Sequence, residues 1–205
     1  MRLWLVAKIM LHPLRFVQER IDTWVLARVK RQPGPIDIPR NRVYIVPTRF
    51  GYGFAVMALV MLMGAMNYSN SMAFALTFLL AGLGMICMHH THANMLNLRM
   101  HAGKTQPVFA GEIAHFEIHV ENFAKKPRYA VALAWPKEEA NATISDAPTQ
   151  GITVMTLTRP APKRGWQHAG VYSLFTEFPL GLFHAWTWAD LDMTCLVYPS
   201  PAAPG

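Results

Sequence analysis

The feature that most constrains this chain is a pair of uncharged apolar runs, residues 50–67 and 71–88, set almost back to back. They read FGYGFAVMALVMLMGAMN and SMAFALTFLLAGLGMICM. Each is about 18 residues long, near the lower limit for a helix that crosses a hydrocarbon core of roughly 30 Å. A helix on the surface of a water-soluble domain needs a polar stripe with a 3.6-residue period, and neither run has one. The alternative, a buried hairpin inside a soluble domain, would need two such runs in succession, which soluble domains rarely carry. Small residues such as Gly51, Gly64, Ala75, Ala81 and Gly84 would let two helices approach closely. The link Asn67-Tyr68-Ser69-Asn70 leaves room only for a turn. The pattern predicts a transmembrane α-helical hairpin over residues 50–92.

Charge orients it. Ten of the 19 Lys and Arg residues precede residue 50, none lies in the turn, and Arg99 and Lys104 follow. The positive-inside rule then puts both termini in the cytoplasm of a bacterial cell, with the chain a multi-pass protein of the inner membrane. The charged fraction is 15%, against about 25% for ordinary soluble domains, which also favours a bilayer partner. The formal charge of +7 does not imply nucleic acid, because the basic residues cluster beside the apolar runs rather than on an aromatic platform. Cys87 and Cys195 have no metal-like spacing and no evident way to pair, which suits a reducing compartment. The run Leu3 to Leu11 is broken by Lys8 and precedes no small-residue cleavage site, so it does not read as a signal peptide.

Residues 1–35 form a basic N-terminal segment. Within it, 14–31 reads as an amphipathic helix, with Leu14, Val17, Ile21, Trp24 and Val25 on one face. Arg15, Glu19, Arg20, Asp22, Arg28, Lys30 and Arg31 fill most of the rest. Pro13 can start it, and Gln32-Pro33-Gly34-Pro35 ends it. Two placements remain open: flat on the membrane surface, or packed on the protein's own domain. Residues 36–49 are a proline-punctuated connector in which Val43–Val46 is extended.

After the second run the period becomes two. Ala114, Phe116, Ile118 and Val120 alternate with His115, Glu117, His119 and Glu121, the pattern of a half-buried strand. Tyr129, Val131, Leu133 and Trp135 mark another, and 96–102, 142–145, 152–158, 170–175, 186–189 and 194–198 are further candidates. Turn residues separate them. Many short strands with regular punctuation predict an all-β antiparallel sandwich, immunoglobulin-like, over residues 93–199 in the cytoplasm. The tail 200–205 is expected to be disordered.

The chain carries no phosphate-binding loop, nucleophile elbow or His-Glu-x-x-His motif. No catalytic residue, cofactor or enzymatic activity is expected. The nearest approach to a ligand set is His89, His90 and His92 with His101, since residues 89 and 92 would share a helix face. The competing explanation is a polar cluster at the end of the second membrane helix, where imidazole suits the interface and the helix dipole. No carboxylate or thiolate stands nearby to complete a tetrahedral site. His115 and His119 read as solvent-facing; Asp190 and Asp192 are spaced to share one side of a strand end, and turn chemistry explains them equally well. Lys163 and Arg164 form a basic hairpin tip that could touch lipid or an acidic partner. The aromatic stretch from Phe175 to Trp188, with Trp186 and Trp188, is a candidate contact surface.

Several stretches in order complete the reading: Pro47-Thr-Arg-Phe-Gly51, Asn67-Tyr-Ser-Asn70, Ala75-Leu-Thr-Phe-Leu-Leu80, Asn94 to Leu98, Pro107-Val-Phe-Ala-Gly111, Arg164-Gly165, Phe178-Pro-Leu-Gly-Leu-Phe183, Trp186 and Val197-Tyr-Pro199. Together, over roughly residues 40–200, they resemble the domain-of-unknown-function-58 family of membrane proteins. The resemblance implies a membrane hairpin, a cytoplasmic β-rich region and a non-enzymatic scaffold or assembly role. It implies partnership with a MoxR-type AAA+ ATPase and often with a transglutaminase-like membrane protein. Family members continue past the Val-Tyr-Pro block into a signature segment with an Arg-…-Gly-Asp-…-Trp-Lys pattern. This chain stops at Gly205, so a truncated or short form is expected, and no catalytic residue is transferred. The rival expectation is a metal-binding membrane protein using the four histidines.

Overall fold

The computed structural model describes residues 31–136 and 138–200. The amphipathic stretch expected over 14–31 and the tail expected to be disordered fall, apart from Arg31 and Ser200, outside the described residues.

Two apolar α-helices, twelve strands and two short 3-10 turns make up the described residues. α1 spans Arg49–Asn67 and α2 spans Ser71–Asn94. Each begins on a side chain that accepts hydrogen bonds from the first free amides, as helix starts require. Thr48 accepts from the Gly51 amide, and Asn70 accepts from the amides of Met72 and Ala73. The turn between them is Tyr68-Ser69-Asn70, with Ser69 at positive φ. α2 runs six residues beyond the expected end at 88, so His89, His90 and His92 lie on the helix itself.

The strands form three mostly antiparallel sheets. The first has the order β1 (Ile36–Asp37), β3 (Leu98–Thr105), β5 (Ile113–Asn122), β8 (Ile152–Pro160). The second has β2 (Tyr44–Pro47), β11 (Phe183–Ala189), β10 (Tyr172–Thr176), β6 (Arg128–Ala134), β7 (Thr143–Ala147). The third has β4 (Val108–Phe109), β12 (Thr194–Tyr198), β9 (Gly165–His168), with β4 and β12 parallel. The stretch read as a connector therefore supplies β1 to the first sheet and β2 to the second. The helical pair is an insertion between two strands of one β-rich body.

β5 shows why the body closes. Ala114, Phe116, Ile118, Val120 and the terminal Asn122 are buried, while the residues between them stay at least partly accessible. They meet Val131, Leu133, Tyr172, Leu174 and Ala185 of the second sheet in one core, with Cys195 and Val197 of the third at its side. Burying a side chain such as Phe116 contributes about 1.5–3 kcal/mol. Its ring also meets Trp135 edge-on, with centroids 6.1 Å apart, and the Trp135 indole donates to the Thr158 carbonyl at 2.8 Å. Asn122, fully buried, donates to the carbonyls of Lys126, Ala147 and Pro148 and accepts from the Ala124 amide. It holds the β5–β6 turn against the end of β7.

The two helices are built differently from the body. Only 11% of the apolar window of each is buried. Met63, Met66, Met72, Phe78, Leu79, Met85 and Ile86 are among the large apolar side chains they expose.

Candidate functional site

The polar residues of the helix ends converge on one loop. Glu177–Leu182, between β10 and β11, is gripped from both helices, and the grip follows from what helix termini lack. At the start of α1, the Thr48 amide donates to the Leu182 carbonyl at 2.9 Å, and its hydroxyl donates to the Gly181 carbonyl while accepting from Gly51. Gly51 sits so close to the Leu182 carbonyl that a Cβ there would collide with the oxygen. At the end of α2, the Thr91 hydroxyl shares its proton between the carbonyls of Cys87 and Phe178, each at 2.8 Å. The loop itself turns at Gly181, whose φ is positive and whose amide donates to Glu177, and it contains a cis Phe178–Pro179 bond.

One helical turn further on, Asn94 reaches the β-rich body. Its amide nitrogen donates to the Tyr129 carbonyl at 2.7 Å and to the Thr176 hydroxyl at 3.0 Å. Its carbonyl accepts from the Tyr129 amide at 3.1 Å. The register of β6 with β7 shifts between Arg128 and Val131, and Ala130 takes positive φ there. This irregularity turns both backbone groups of Tyr129 away from β7, and the Asn94 side chain pairs them as a strand would. Arg128 adds a bond to the Leu96 carbonyl at 3.0 Å, just past the end of α2, where a cation complements the helix dipole. Burial pushes its guanidinium below the usual arginine range. The arrangement is mechanical: it fixes the hairpin's direction relative to the β-rich body.

The four histidines of the rival metal-binding reading do not assemble into one site. His89 and His90 are exposed neighbours with ring centroids 6.2 Å apart. His101 lies on β3 and pairs across the strands with His119, at 5.1 Å between rings. Among the described residues no group of three or more His, Cys, Asp or Glu side chains could hold a metal ion. Cys87 and Cys195 are buried free thiols. Asp190 and Asp192 sit in a turn, where the Asp192 amide donates to the Asp190 carboxylate at 3.0 Å. Lys163 and Arg164 are exposed in the turn between β8 and β9, beside the exposed Trp166. Trp186 is buried and Trp188 half-buried on the outer face of the second sheet.

No local motif marks the joint in the sequence. A signal existed: Cys87, Thr91 and Asn94 recur at i, i+4, i+7, so three buried positions at the end of an apolar helix share one face, and two of them are polar. No protein-family model matches this chain, and no curated protein matches it.

Proposed function

We propose that this chain is an integral, multi-pass protein of the bacterial inner membrane, with both termini and an immunoglobulin-like β-sandwich in the cytoplasm. We infer that it is a non-enzymatic scaffold of the domain-of-unknown-function-58 kind, working with a MoxR-type AAA+ ATPase and a transglutaminase-like membrane protein. One observation carries the membrane reading: two apolar helices bury few of their residues against the protein while their ends are tied firmly to a β-rich body. Soluble monomers rarely expose apolar patches beyond a few hundred Å². At about 1.5 Å per residue, α1 is about 28 Å long, close to the hydrocarbon thickness. α2 is longer, and the excess carries His89, His90 and His92 out of the hydrocarbon at the basic, cytoplasmic end.

The scaffold reading rests on the family resemblance and on surface chemistry. Lys163 and Arg164 on the β8–β9 turn stand beside the exposed Trp166 at the start of β9, and Arg and Trp are among the residue types that dominate binding hot spots. The protein is expected to stay in the membrane pellet after alkaline carbonate extraction; release into the supernatant would refute insertion. The tagged full chain, purified in mild detergent, is expected to bring an AAA+ ATPase with it. The variant Lys163→Glu/Arg164→Glu/Trp166→Ala should lose it. Recovery of the protein without an ATPase would refute the partnership while leaving the membrane reading intact.

A further inference from the structure

The end of the β-rich body nearest the helical hairpin carries exposed cations, and the strand register shows where they sit. β1 and β3 pair Ile36 with Met100 and Asp37 with Arg99, and the Ile38 amide donates to the Leu98 carbonyl at 3.0 Å. Carried two residues further, that register brings Arg40 level with Leu96, just past the end of α2. Arg40 lies there beside His92 of the last helical turn, and it opens the 3-10 turn Arg40–Arg42. On the other side of β3, Leu98 pairs with Asn122, and the Phe123 amide donates to the Asn97 carbonyl at 3.0 Å. That contact starts the β5–β6 turn, which exposes Lys125 and Lys126. Neighbouring strands stand about 4.8 Å apart, so the two basic turns flank the exit of α2, about 10 Å from each other. Among the described residues, Arg40, Arg42, Lys125 and Lys126 take part in no ion pair. The acids at this end have partners of their own. Asp37 pairs with Arg99, Glu121 stands opposite Arg99 in the register, Asp146 accepts from the Ala130 amide, and Glu177 meets His184. Apolar side chains share the same end: Phe123 is 49% exposed, and Leu180, in the loop that both helices grip, is 56% exposed.

The hairpin fixes what lies in front of this surface. A bilayer that surrounds α1 and α2 meets the body at the helix ends. α1 is charged at Arg49 and uncharged from Phe50 on, and the apolar run of α2 ends at Met88, so the hydrocarbon boundary falls near those residues. His92, beside Arg40, stands about 6 Å beyond Met88 along the helix axis. That is the depth of the headgroup layer, because a bilayer of roughly 40–45 Å has a hydrocarbon core of about 30 Å. The lysines of the β5–β6 turn stand one step further out, where a surface potential that decays over about 10 Å still acts. The opposite end of the body is remote. β5 runs about 30 Å from Asn122 back to Ile113, at roughly 3.3 Å per residue. Ile113 pairs with Pro160, so Lys163 and Arg164 lie at that far end.

We propose that this underside is a docking surface for anionic phospholipid. Acidic headgroups such as phosphatidylglycerol pair their phosphates with Arg40, Arg42, Lys125 and Lys126, and Phe123 and Leu180 rest at the headgroup boundary. The hairpin anchors the chain, and this second contact holds the body against the leaflet with Lys163 and Arg164 turned away from it. The docking rests on the membrane reading above and adds to it a lipid class and the residues that select it.

The test uses the full-length protein in phosphatidylcholine bilayers at low salt, with spin-labelled phosphatidylglycerol or spin-labelled phosphatidylcholine as the probe. The motionally restricted fraction of each probe gives the preference of the protein surface. Phosphatidylglycerol should be preferred about fivefold, the gain expected of one cation beside an anionic headgroup. The variant Arg40→Gln/Arg42→Gln/Lys125→Gln/Lys126→Gln should bring the preference below about twofold, since most of that cationic contact is gone. The charge-preserving variant Arg40→Lys/Arg42→Lys/Lys125→Arg/Lys126→Arg should keep it, which separates lost charge from lost folding. Lys163→Gln/Arg164→Gln should keep it as well; a loss there puts the lipid contact at the wrong end and overturns the proposal. A preference that the four-Gln variant retains in full overturns it too. No preference in the wild-type protein overturns it in favour of a protein partner at this surface. A nitroxide on Val60→Cys, in the Cys87→Ala/Cys195→Ala protein, tells this failure from that of the membrane reading. Access to oxygen with shielding from a water-soluble nickel chelate keeps the hairpin in lipid, so a missing preference then counts against the docking alone. Access to nickel removes the membrane reading and the docking with it.

Discussion

Replacing Asn94 with Ala tests whether the helical hairpin is truly keyed to the β-rich body. The wild-type side chain is almost fully buried and makes three hydrogen bonds, two of them to the backbone of Tyr129. A hydrogen bond of this kind contributes about 1 kcal/mol net, and an orphaned buried donor costs about 1–3 kcal/mol. The Tyr129 amide has no replacement acceptor on β7, because the strand register shifts at that position. The Tyr129 carbonyl keeps only a long contact of 3.4 Å from Thr176. The expected loss is about 3 kcal/mol of local stability, equivalent to about 150-fold in the local opening equilibrium. Amide hydrogen exchange in detergent micelles, read on peptides covering β6, measures it directly. Protection at the start of β6 should fall by two orders of magnitude while β3 and β5 keep theirs. Asn122→Ala is the control: it removes an equally buried asparagine that serves only the body, so it should loosen the β5–β6 turn and spare the helix end. A change below tenfold at Tyr129 in the Asn94→Ala protein would refute a structural joint at this position.

Three further outcomes follow from the same geometry. Gly51→Ala should destabilise the α1–loop contact by at least about 2 kcal/mol, since the new methyl meets the Leu182 backbone rather than a movable side chain; proteolytic nicking within 177–182 would report it. Phe116→Ala should cost about 3–5 kcal/mol from the centre of the core, read as a lower midpoint of thermal unfolding; a loss under 1 kcal/mol would contradict the single core described. Burial raises the Cys195 thiol above its usual 9.0 and the Tyr172 phenol well above its usual 10.0. Both are acids that folding keeps neutral, so their contribution to stability is complete below the unfolded values and is lost as pH climbs past about 9. Denaturant midpoints should therefore fall between pH 9 and 11, and the Tyr172→Phe/Cys195→Ala protein should show a shallower fall.

Much of the secondary structure was legible because two periods are hard to mimic. The uncharged runs gave two helices, and the alternation along 114–121 gave β5 nearly to the residue. What failed to show has physical reasons. β1 and β4 have two residues each and β9 four, too few to display any period. The uncharged apolar run ends at Met88, where imidazoles follow, but helical hydrogen bonding does not stop where hydrophobicity does, and the helix continues to Asn94. β10 was legible as a strand but not as one buried on both faces, since Ser173 and Thr176 are polar residues that spend their hydroxyls on backbone carbonyls. Sequence proximity groups His101 with His89, His90 and His92, whereas strand pairing gives it His119 from β5. Cross-strand neighbours cannot be read without the register.

The joint also explains how a body assembled from distant pieces can close. β2 precedes the hairpin and pairs with β11, so a long stretch of chain separates the two partners. Closing so long a loop is entropically costly and slows folding when nothing shortens it. The helical pair shortens it. Once α1 and α2 lie side by side, Thr48 and Asn94 are brought to the same end of the hairpin, and β2 and β3 leave from neighbouring points. The loop at 177–182 then meets both helix ends at once, through Thr48 and Thr91, and its own strand β11 is delivered beside β2 in the observed register, Pro47 against Phe183. A chain with residues 48–94 removed and residues 47 and 95 joined by a flexible linker retains every strand but loses both grips on that loop. Such a body should pair β2 with β11 weakly or not at all, whereas a fold held by its sheets alone would close unchanged.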